Sequence, residues 1–286
     1  RLGQTRAALG GRQPAGRSVA LTHSASIVGS DDVFDAVLRR AGVVRVQQFT
    51  QLFSAAKCLA SRFRPVGKRL AIVTNGGGPG VLAADWAGEI GLDVAQLSAE
   101  SLATLMPQLS PLATSDGVID LGEDASGAHY RAALEVCVKD RGADGVLLIH
   151  SPKADGDPTA IAQAVADAFS PTGKPVLGCW MGDASVREGR AGLALALLPT
   201  FRTPEAAVDA FNSIASFYRN QQLLQQTPPP LSELAAPDTE GARLLIESVL
   251  AERRKVLTEM ESKALLAAFH VPVTRTMLAR SANEAM

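Results

Sequence analysis

RLAIVTNGGGPGVLAADWAGEIG, residues 69–91, is the stretch whose reading decides the fold. It opens as a strand over 70–74, because Leu70, Ile72 and Val73 are apolar and favour extended backbone. A glycine turn over 75–78 follows, and a helix is expected to open at Pro79. Proline suits a first helical turn, where its missing N–H has no intrahelical partner. Val81, Leu82, Ala84 and Ala87 are spaced to pack the helix back on a sheet. Glycines in such a turn allow unusual backbone angles and let a ligand approach the main chain. The helix start adds unpaired N–H groups and roughly half a positive charge, so an anion, typically phosphate, is the natural guest. The motif is neither a Walker A loop, since no Gly-Lys-Ser/Thr follows, nor a G-x-G-x-x-G fingerprint. A tight, ligand-free turn therefore stays open at this point.

Working outward, strands and helices alternate. Strands are expected over 70–74, 92–94, 118–121, Gly145–His150, Val176–Trp180 and near 198–200. Helices are expected over 79–90, 99–106, Gly127–Lys139, 158–169, 185–194 and 204–218. Strands that are apolar without alternation imply a parallel sheet covered on both faces, hence a doubly wound, flavodoxin-like or Rossmann-like α/β domain over 69–220. Ligands in such sheets sit at the carboxyl ends of strands. Residues 75–78, 122–124, 151–153 and 182–183 all fall there.

Upstream, residues 1–29 read as loop. Ser30 caps a helix with Asp31 and Asp32 in its first turn, an apolar face of Val33, Phe34, Val37 and Leu38, and a stop at Gly42. A strand over 43–46 precedes a helix with Phe49, Leu52, Phe53, Ala56 and Leu59 inward. Residues 62–68 are a short connector broken by Pro65 and Gly67. Downstream, 221–240 reads as a linker whose prolines at 228–230 favour an extended spacer. A helix over 242–252 follows, then one capped by Thr258 and Glu261 that ends near Phe269, then a strand beginning at Val271.

Bulk properties exclude several classes. With 286 residues the chain holds about two domains, and 47% hydrophobic with 20% charged residues is an ordinary composition. A net charge of −1 without a basic block argues against nucleic-acid binding. No apolar run is long enough to cross a bilayer, and the N-terminal stretch lacks a signal-peptide core. Cys58, Cys137 and Cys179 lie far apart and read as buried reduced thiols, which implies a cytoplasmic setting. His23, His129, His150 and His270 show no metal-ligand spacing.

His23 stands in a Ser/Thr/Ala-rich loop before a helix. A loop histidine is usually polar surface; as a nucleophile, its partly neutral imidazole could take a phosphoryl group steadied by helix N-termini. Four blocks then carry a resemblance. THSASIVGSDDVFDAVLRRAGVVRV (22–46), the opening stretch extended to Leu92, GVIDLGEDASGAHYRAALE (117–135) and LLIESVLAERRKVLTEMESKALLAAFHVPVTRTMLARSANEA (244–285) resemble the NDP-forming acyl-CoA synthetases, relatives of succinyl-CoA synthetase. The resemblance implies that His23 relays phosphate from an acyl phosphate to ADP, with the glycine turn steadying it. It makes Asn75, Gly76, Gly77, Gly78 and Gly80, with Asp120 and Gly122, the phosphate-side residues. It implies 1–62 as the end of a succinyl-CoA-ligase-like domain carrying the His loop, 69–220 as the ligase-CoA domain, and 241–286 as the start of a truncated ATP-grasp domain.

CoA, ATP/ADP and Mg would be bound largely by domains outside this chain, so the partners implied are a small acyl substrate, CoA, nucleotide and the remaining domains of the same polypeptide. A homo-oligomer stays open. Thr22-His23-Ser24-Ala25-Ser26 departs from the family's Ser-His-Thr-Gly-Ala, and Asp116-Gly117-Val118-Ile119-Asp120-Leu121 departs from Asn-Pro-Val-Asp-Leu. FRTPEA (201–206) and YRNQQLLQQT (218–227) resemble a second branch, bacterial lysine acetyltransferases that fuse this module to a GNAT domain. Two functions follow from the resemblance: a phosphate-relaying portion of a ligase, or an acetyl-CoA-sensing regulatory module.

Overall fold

The computed structural model describes residues 30–60, 63, 67–171, 173–226 and 236–274, together with 6–8 and positions 13, 15, 16, 18, 19, 276, 281 and 283. The loop carrying His23 lies outside the described residues. The chain divides into one unit ending at Gln226 and a second beginning at Thr227.

The first unit is built on a parallel sheet. Its strands are β3 (Arg69–Thr74), β4 (Asp93–Val94), β5 (Ile119–Asp120), β6 (Gly145–His150), β7 (Val176–Trp180) and β8 (Thr200–Phe201). The order is β4-β3-β6-β7-β8, and β5 also pairs with β3. Counted along that path, with the two-residue β5 set aside, this is the 2-1-3-4-5 order of flavodoxin-like sheets. β4 and β5 share one edge of β3. β4 takes its start, Arg69↔Asp93, and β5 its end, Thr74↔Asp120. That pairing brings Asp120 beside the turn that follows β3.

Both faces are covered, as apolar strands without alternation require. Leu70, Ile72, Leu147, Ile149, Leu177 and Cys179 pack with α3 (Gly77–Glu89) and α8 (Pro204–Gln225). Ala71, Val73, Val146, Leu148 and Trp180 pack on the opposite side with α5 (Gly127–Lys139), α6 (Pro158–Ala168) and α7 (Arg187–Leu195). α4 (Ala99–Leu105) joins that side through Leu105. At the amino end of the sheet Asp144, almost fully buried, accepts from the backbone N–H, Nε and Nη2 of Arg69, each at 2.9 Å. One carboxylate thereby fixes the relative start of β3 and β6.

Several expectations shift. α3 opens at Gly77, two residues before Pro79, which sits within its first turn. Val81 and Leu82 are more than half exposed, while Gly80, Ala83 and Ala87 face the sheet. A Cβ on Gly80 would lie 2.9 Å from Thr74 Cγ2, so the helix approaches the sheet too closely for large side chains on that face. α1 (Asp31–Arg40) has Ser30 in the cap position but without a side-chain bond, and Val33, Phe34 and Val37 are exposed. In α2 (Phe49–Leu59) the buried residues are Ala55, Cys58 and Leu59, whereas Phe49 and Phe53 are exposed. β1 (Arg6–Ala8) and β2 (Val44–Val46) form a separate parallel pair.

α8 runs seven residues past the expected end at 218, into the stretch read as linker. Its extra turns have work to do: Asn220 Nδ2 donates to Val43 O at 2.7 Å, and Gln221 Nε2 donates to Gly42 O at 3.1 Å. Tyr218 Oη adds a bond to Phe63 O at 2.8 Å. Val44, Val46 and Leu59 share the core under α8 with Phe211 and Ile214, so residues 44–59 are docked on this unit. The second unit holds α9 (Thr239–Ala251) and α10 (Glu259–Ala268). The expected capping box is present, with Thr258 Oγ1 accepting from Glu261 N and Glu261 accepting from Thr258 N. Residues 271–274 are not a strand. The three cysteines are free and buried, and burial pushes each thiol up to about 12.

Gly145 of β6 leaves no room for a side chain against Phe211 of α8. A Cβ on Gly145 would stand 2.3 Å from Phe211 Cε2. Gly145→Ala should destabilise the protein by about 1–3 kcal/mol through overpacking. Urea denaturation followed by circular dichroism checks this; an unchanged midpoint would mean that Phe211 moves aside freely.

Candidate functional site

The turn after β3 is positioned by side chains that it does not offer to a ligand. Asn75, 2% exposed, donates through Nδ2 to Ser151 O at 2.9 Å and accepts through Oδ1 from Ser151 N at 2.7 Å. Its amide ties the end of β3 to the end of β6 with one bond donated and one accepted. Thr74 Oγ1 accepts from Gly76 N at 3.1 Å and donates to Gly76 O at 2.9 Å. Gly80 is buried against the sheet. What remains is the N–H of Gly77 and Gly78, for which no acceptor occurs among the described residues. Nothing stands within 4 Å of a Cβ placed on Gly78, so this helix start is open. None of the glycines from 76 to 80 has a positive φ, so the expectation of unusual backbone angles fails here.

Asp120 faces the same helix start. Its Oδ2 would lie 3.6 Å from a Cβ on Gly77, and its Oδ1 accepts from Gly122 N at 3.0 Å. Gly122 does need its glycine, with φ +86° and Leu112 and Asp124 crowding it. Of the residues singled out from the sequence, 75–78, Gly80, Asp120 and Gly122 are thus gathered at one end of the sheet. Gly77 and Gly78 alone present unpaired backbone donors.

Beside this turn a cleft of about 630 Å³ opens between the starts of α5 and α6, with Asn75, Lys153 and His150 in its lining. Sequence reasoning passed over its central residue. His150 ends β6 and is 1% exposed. Its ring packs against Tyr130 and Trp180, with centroids 5.9 and 5.6 Å away. Tyr130 Oη donates to Ile149 O at 2.7 Å and lies 3.5 Å from His150 Nδ1. With its proton directed to Ile149 O, the phenol oxygen faces Nδ1 at 3.5 Å as an acceptor, which favours the tautomer protonated at Nδ1 with Nε2 as an acceptor. Nε2 has no partner among the described residues. A histidine ending a fully buried strand, just before a ligand-side turn, was the available signal.

Charge in the cleft is lopsided. Glu123, Asp124, Asp155 and Asp157 line it against Lys153 alone. Asp157 caps α6 by accepting from Thr159 N and Ala160 N, Ser126 caps α5, and Asp124 accepts from Ser110 Oγ at 2.8 Å. Lys153 pairs with the exposed Glu123 at 3.0 Å, joining the two loops that border the cleft. Burial pushes the His150 imidazole down to about 4, so it is neutral near pH 7. Burial also drives the Tyr130 phenol well above its usual range; the charge of Asp120 adds to this and a backbone hydrogen bond from Asn75 opposes it.

Comparison with known proteins fits this geometry. Residues 7–59 match the succinyl-CoA ligase like flavodoxin domain. An ADP-forming acetate–CoA ligase I of Archaeoglobus fulgidus is 30% identical over 275 residues, covering 96% of this chain and 38% of that protein. The chain is homologous to the ADP-forming acyl-CoA ligases. An ADP-forming 4-hydroxybutyrate–CoA ligase of Nitrosopumilus maritimus is 24% identical, over 96% of this chain and 39% of that one. The subunit alpha of the acetate–CoA ligase I of Pyrococcus furiosus is 28% identical, over 71% of this chain and 44% of that subunit. Among solved structures, acetyl-coenzyme A synthetase 1 of Ca. Korarchaeum cryptofilum, in complex with phosphate and ADP, superposes with a TM-score of 0.70 at 23% identity. That match covers 81% of this chain and 49% of the other, and it shows the shared fold. The chain spans about two fifths of the length of the first two ligases. No helix among the described residues is long and apolar enough to cross a membrane.

The neutral His150 has a consequence for stability. Its folded pKa of about 4 lies below the unfolded value of about 6.5. The stabilisation is therefore whole above pH 6.5 and is lost as pH falls toward 4, by up to about 3 kcal/mol. Carboxylates act lower. For Asp140 burial opposes ionisation, yet hydrogen bonds from Ser101, Ser98 and Gly142 outweigh it and hold the group at about 2. Urea denaturation between pH 7 and 4 should show wild-type stability falling, and His150→Gln should flatten that fall. Parallel curves for the two proteins would rule out the imidazole as its source.

Proposed function

We propose that this chain is a portion of an ADP-forming acyl-CoA ligase that moves a phosphoryl group through His23. The observation that carries the reading is the open start of α3. The N–H groups of Gly77 and Gly78 point nowhere else, no side chain crowds Gly78, and the site lies at the carboxyl end of a parallel strand. Two orphan donors and the positive end of a 13-residue helix suit a phosphoryl dianion. Homology to ligases named as ADP-forming supplies the reaction class.

On this reading inorganic phosphate displaces CoA from acyl-CoA, and the resulting acyl phosphate gives its phosphoryl group to a His23 nitrogen as the carboxylate leaves. ADP then takes the phosphoryl group, and the imidazole is restored. Residues 1–62 are the end of the domain that delivers His23, 69–220 the domain that receives it, 221–240 the connector, and 241–286 the entry to an ATP-grasp domain. CoA, ATP/ADP and Mg are held by other parts of the protein. Asp120 sets a limit on the site: its carboxylate beside Gly77 disfavours a dianion that dwells there and favours one in transit.

In the full-length protein with ATP and magnesium, His23 should acquire an acid-labile, base-stable phosphoryl label, and His23→Asn should abolish it. Gly78→Asp tests the receiving turn. Like charges about 4 Å apart at an effective dielectric near 20 cost roughly 4 kcal/mol before screening. Nothing obstructs a side chain at Gly78, and an acidic residue in a first helical turn is tolerated. The variant should therefore keep its melting temperature and lose the label. Normal labelling in a stable Gly78→Asp protein would overturn the role of this turn.

A further inference from the structure

We propose that the cleft over His150 is a subsite for an uncharged hydrogen-bond donor, a hydroxyl or an amide N–H, which His150 Nε2 accepts. Three observations converge. Nε2 is a buried acceptor without a partner among the described residues, a costly arrangement that a ligand donor would relieve. The tautomer protonated at Nδ1 is favoured from behind, because Tyr130 Oη donates to Ile149 O and faces Nδ1 as an acceptor. His150 borders an open cleft with Asn75 at one end while Nε2 itself is covered, so a ligand entering beside the α3 turn must shift that cover to bond it.

The same lining says what the ligand group is not. Four carboxylates against one lysine, itself paired with Glu123, repel an anion. An ammonium would be attracted to the rim, but it would have to shed its water against Tyr130, Trp180 and Ile161 to reach Nε2. No cluster of three or more metal-binding side chains occurs among the described residues. A neutral donor is the group that gains from the imidazole without these costs.

Two sources carry such a group: a hydroxyl on the tail of an acyl acid, or an amide of the pantetheine arm of CoA. Naming these two rests on the ligase reading; the preference for a donor does not. With the acyl carboxyl group near Gly77 and Gly78, a short tail would enter the cleft past Asn75. His150 would then be a specificity-determining residue.

The test uses the 286-residue chain with 15N-labelled histidine. At pH 7 the long-range 1H–15N spectrum should show the His150 Nδ1 protonated and Nε2 not. Titration with 4-hydroxybutyrate or with pantetheine should move the Nε2 resonance upfield, and whichever does so identifies the source. Butyrate, which lacks the hydroxyl, should leave it in place. By calorimetry the responding donor ligand should bind about five- to tenfold more tightly than its counterpart without the donor, as one neutral hydrogen bond allows. His150→Phe should erase that ratio. If that variant does not fold, the wild-type spectrum still carries the test, and Tyr130→Phe should shrink the preference by releasing the tautomer. An Nε2–H proton at pH 7, a response to propylammonium instead, or no response to either donor because the nitrogen holds only a buried water would each overturn the proposal. Labelling of His23 is read separately. A phosphorylated His23 with an unmoved His150 keeps the ligase reading and sinks the subsite, while the reverse keeps a donor-binding cleft without the relay.

Discussion

The paired hydrogen bonds between the Asn75 side chain and the backbone of Ser151 are the constraint on which the ligand side depends. One buried amide spans the ends of β3 and β6 with both its donor and its acceptor used. Parallel strands diverge at their carboxyl ends, where ladder bonds stop and loops leave in opposite directions. Without the amide, the partly buried Ser151 N and O would lose these partners. With it, the turn before α3 and the floor of the cleft at His150 form one rigid seam. Thr74 completes the seam by closing on Gly76 with a donor and an acceptor of its own.

That seam explains what was legible in the sequence and what was not. Buried strands are the clearest signal, and Gly145–His150, Val176–Trp180 and helix Gly127–Lys139 appear with the bounds their patterns imply. Of the four residues expected on the inward face of α3, Ala87 is buried and Ala84 packs partly on the core, but Val81 and Leu82 do not. The helix lies so close to Thr74 and Val118 that Gly80, Ala83 and Ala87 occupy its underside. Val81 and Leu82 are displaced outward. The exposed phenylalanines of α2 follow the same logic, since Ala55, Cys58 and Leu59 occupy the side toward α8. The end of α8 was missed because the polar run Asn220, Gln221, Gln222 looks like a linker. Two of those amides satisfy backbone carbonyls at Gly42 and Val43, a long-range use that no local pattern discloses.

The site residues divide in the same way. A glycine turn before a helix is written in the sequence, but which of its N–H groups stay unpaired depends on Thr74 and on the neighbouring strand. The Asn75 side chain ties β3 to β6, and Gly80 packs closely against Thr74. His150 looked like one of four unrelated histidines. Its character comes from Tyr130, twenty residues away in the chain, whose own proton is claimed by Ile149 O. Periodicity marks burial well, but it does not say which atom of a buried ring is left without a partner.

The two parts of the site have opposite polarity, and their separation follows from the fold. The start of α3 offers donors, Gly77 N–H and Gly78 N–H, with the positive end of a helix behind them. The cleft beyond Asn75 offers acceptors, His150 Nε2 and a set of carboxylates. The helix starts that border the cleft do not change this balance. Ser126 Oγ already takes His129 N–H at α5, and the Asp157 carboxylate takes two N–H groups at α6. α3 differs because Gly76 in its cap position has no side chain to turn back on the helix. Capping by a side chain withdraws a helix start from ligand chemistry, and a glycine in the cap position leaves it available. A molecule anionic at one end and donor-bearing at the other would therefore have one favourable orientation across Asn75, anion toward Gly78 and donor toward His150.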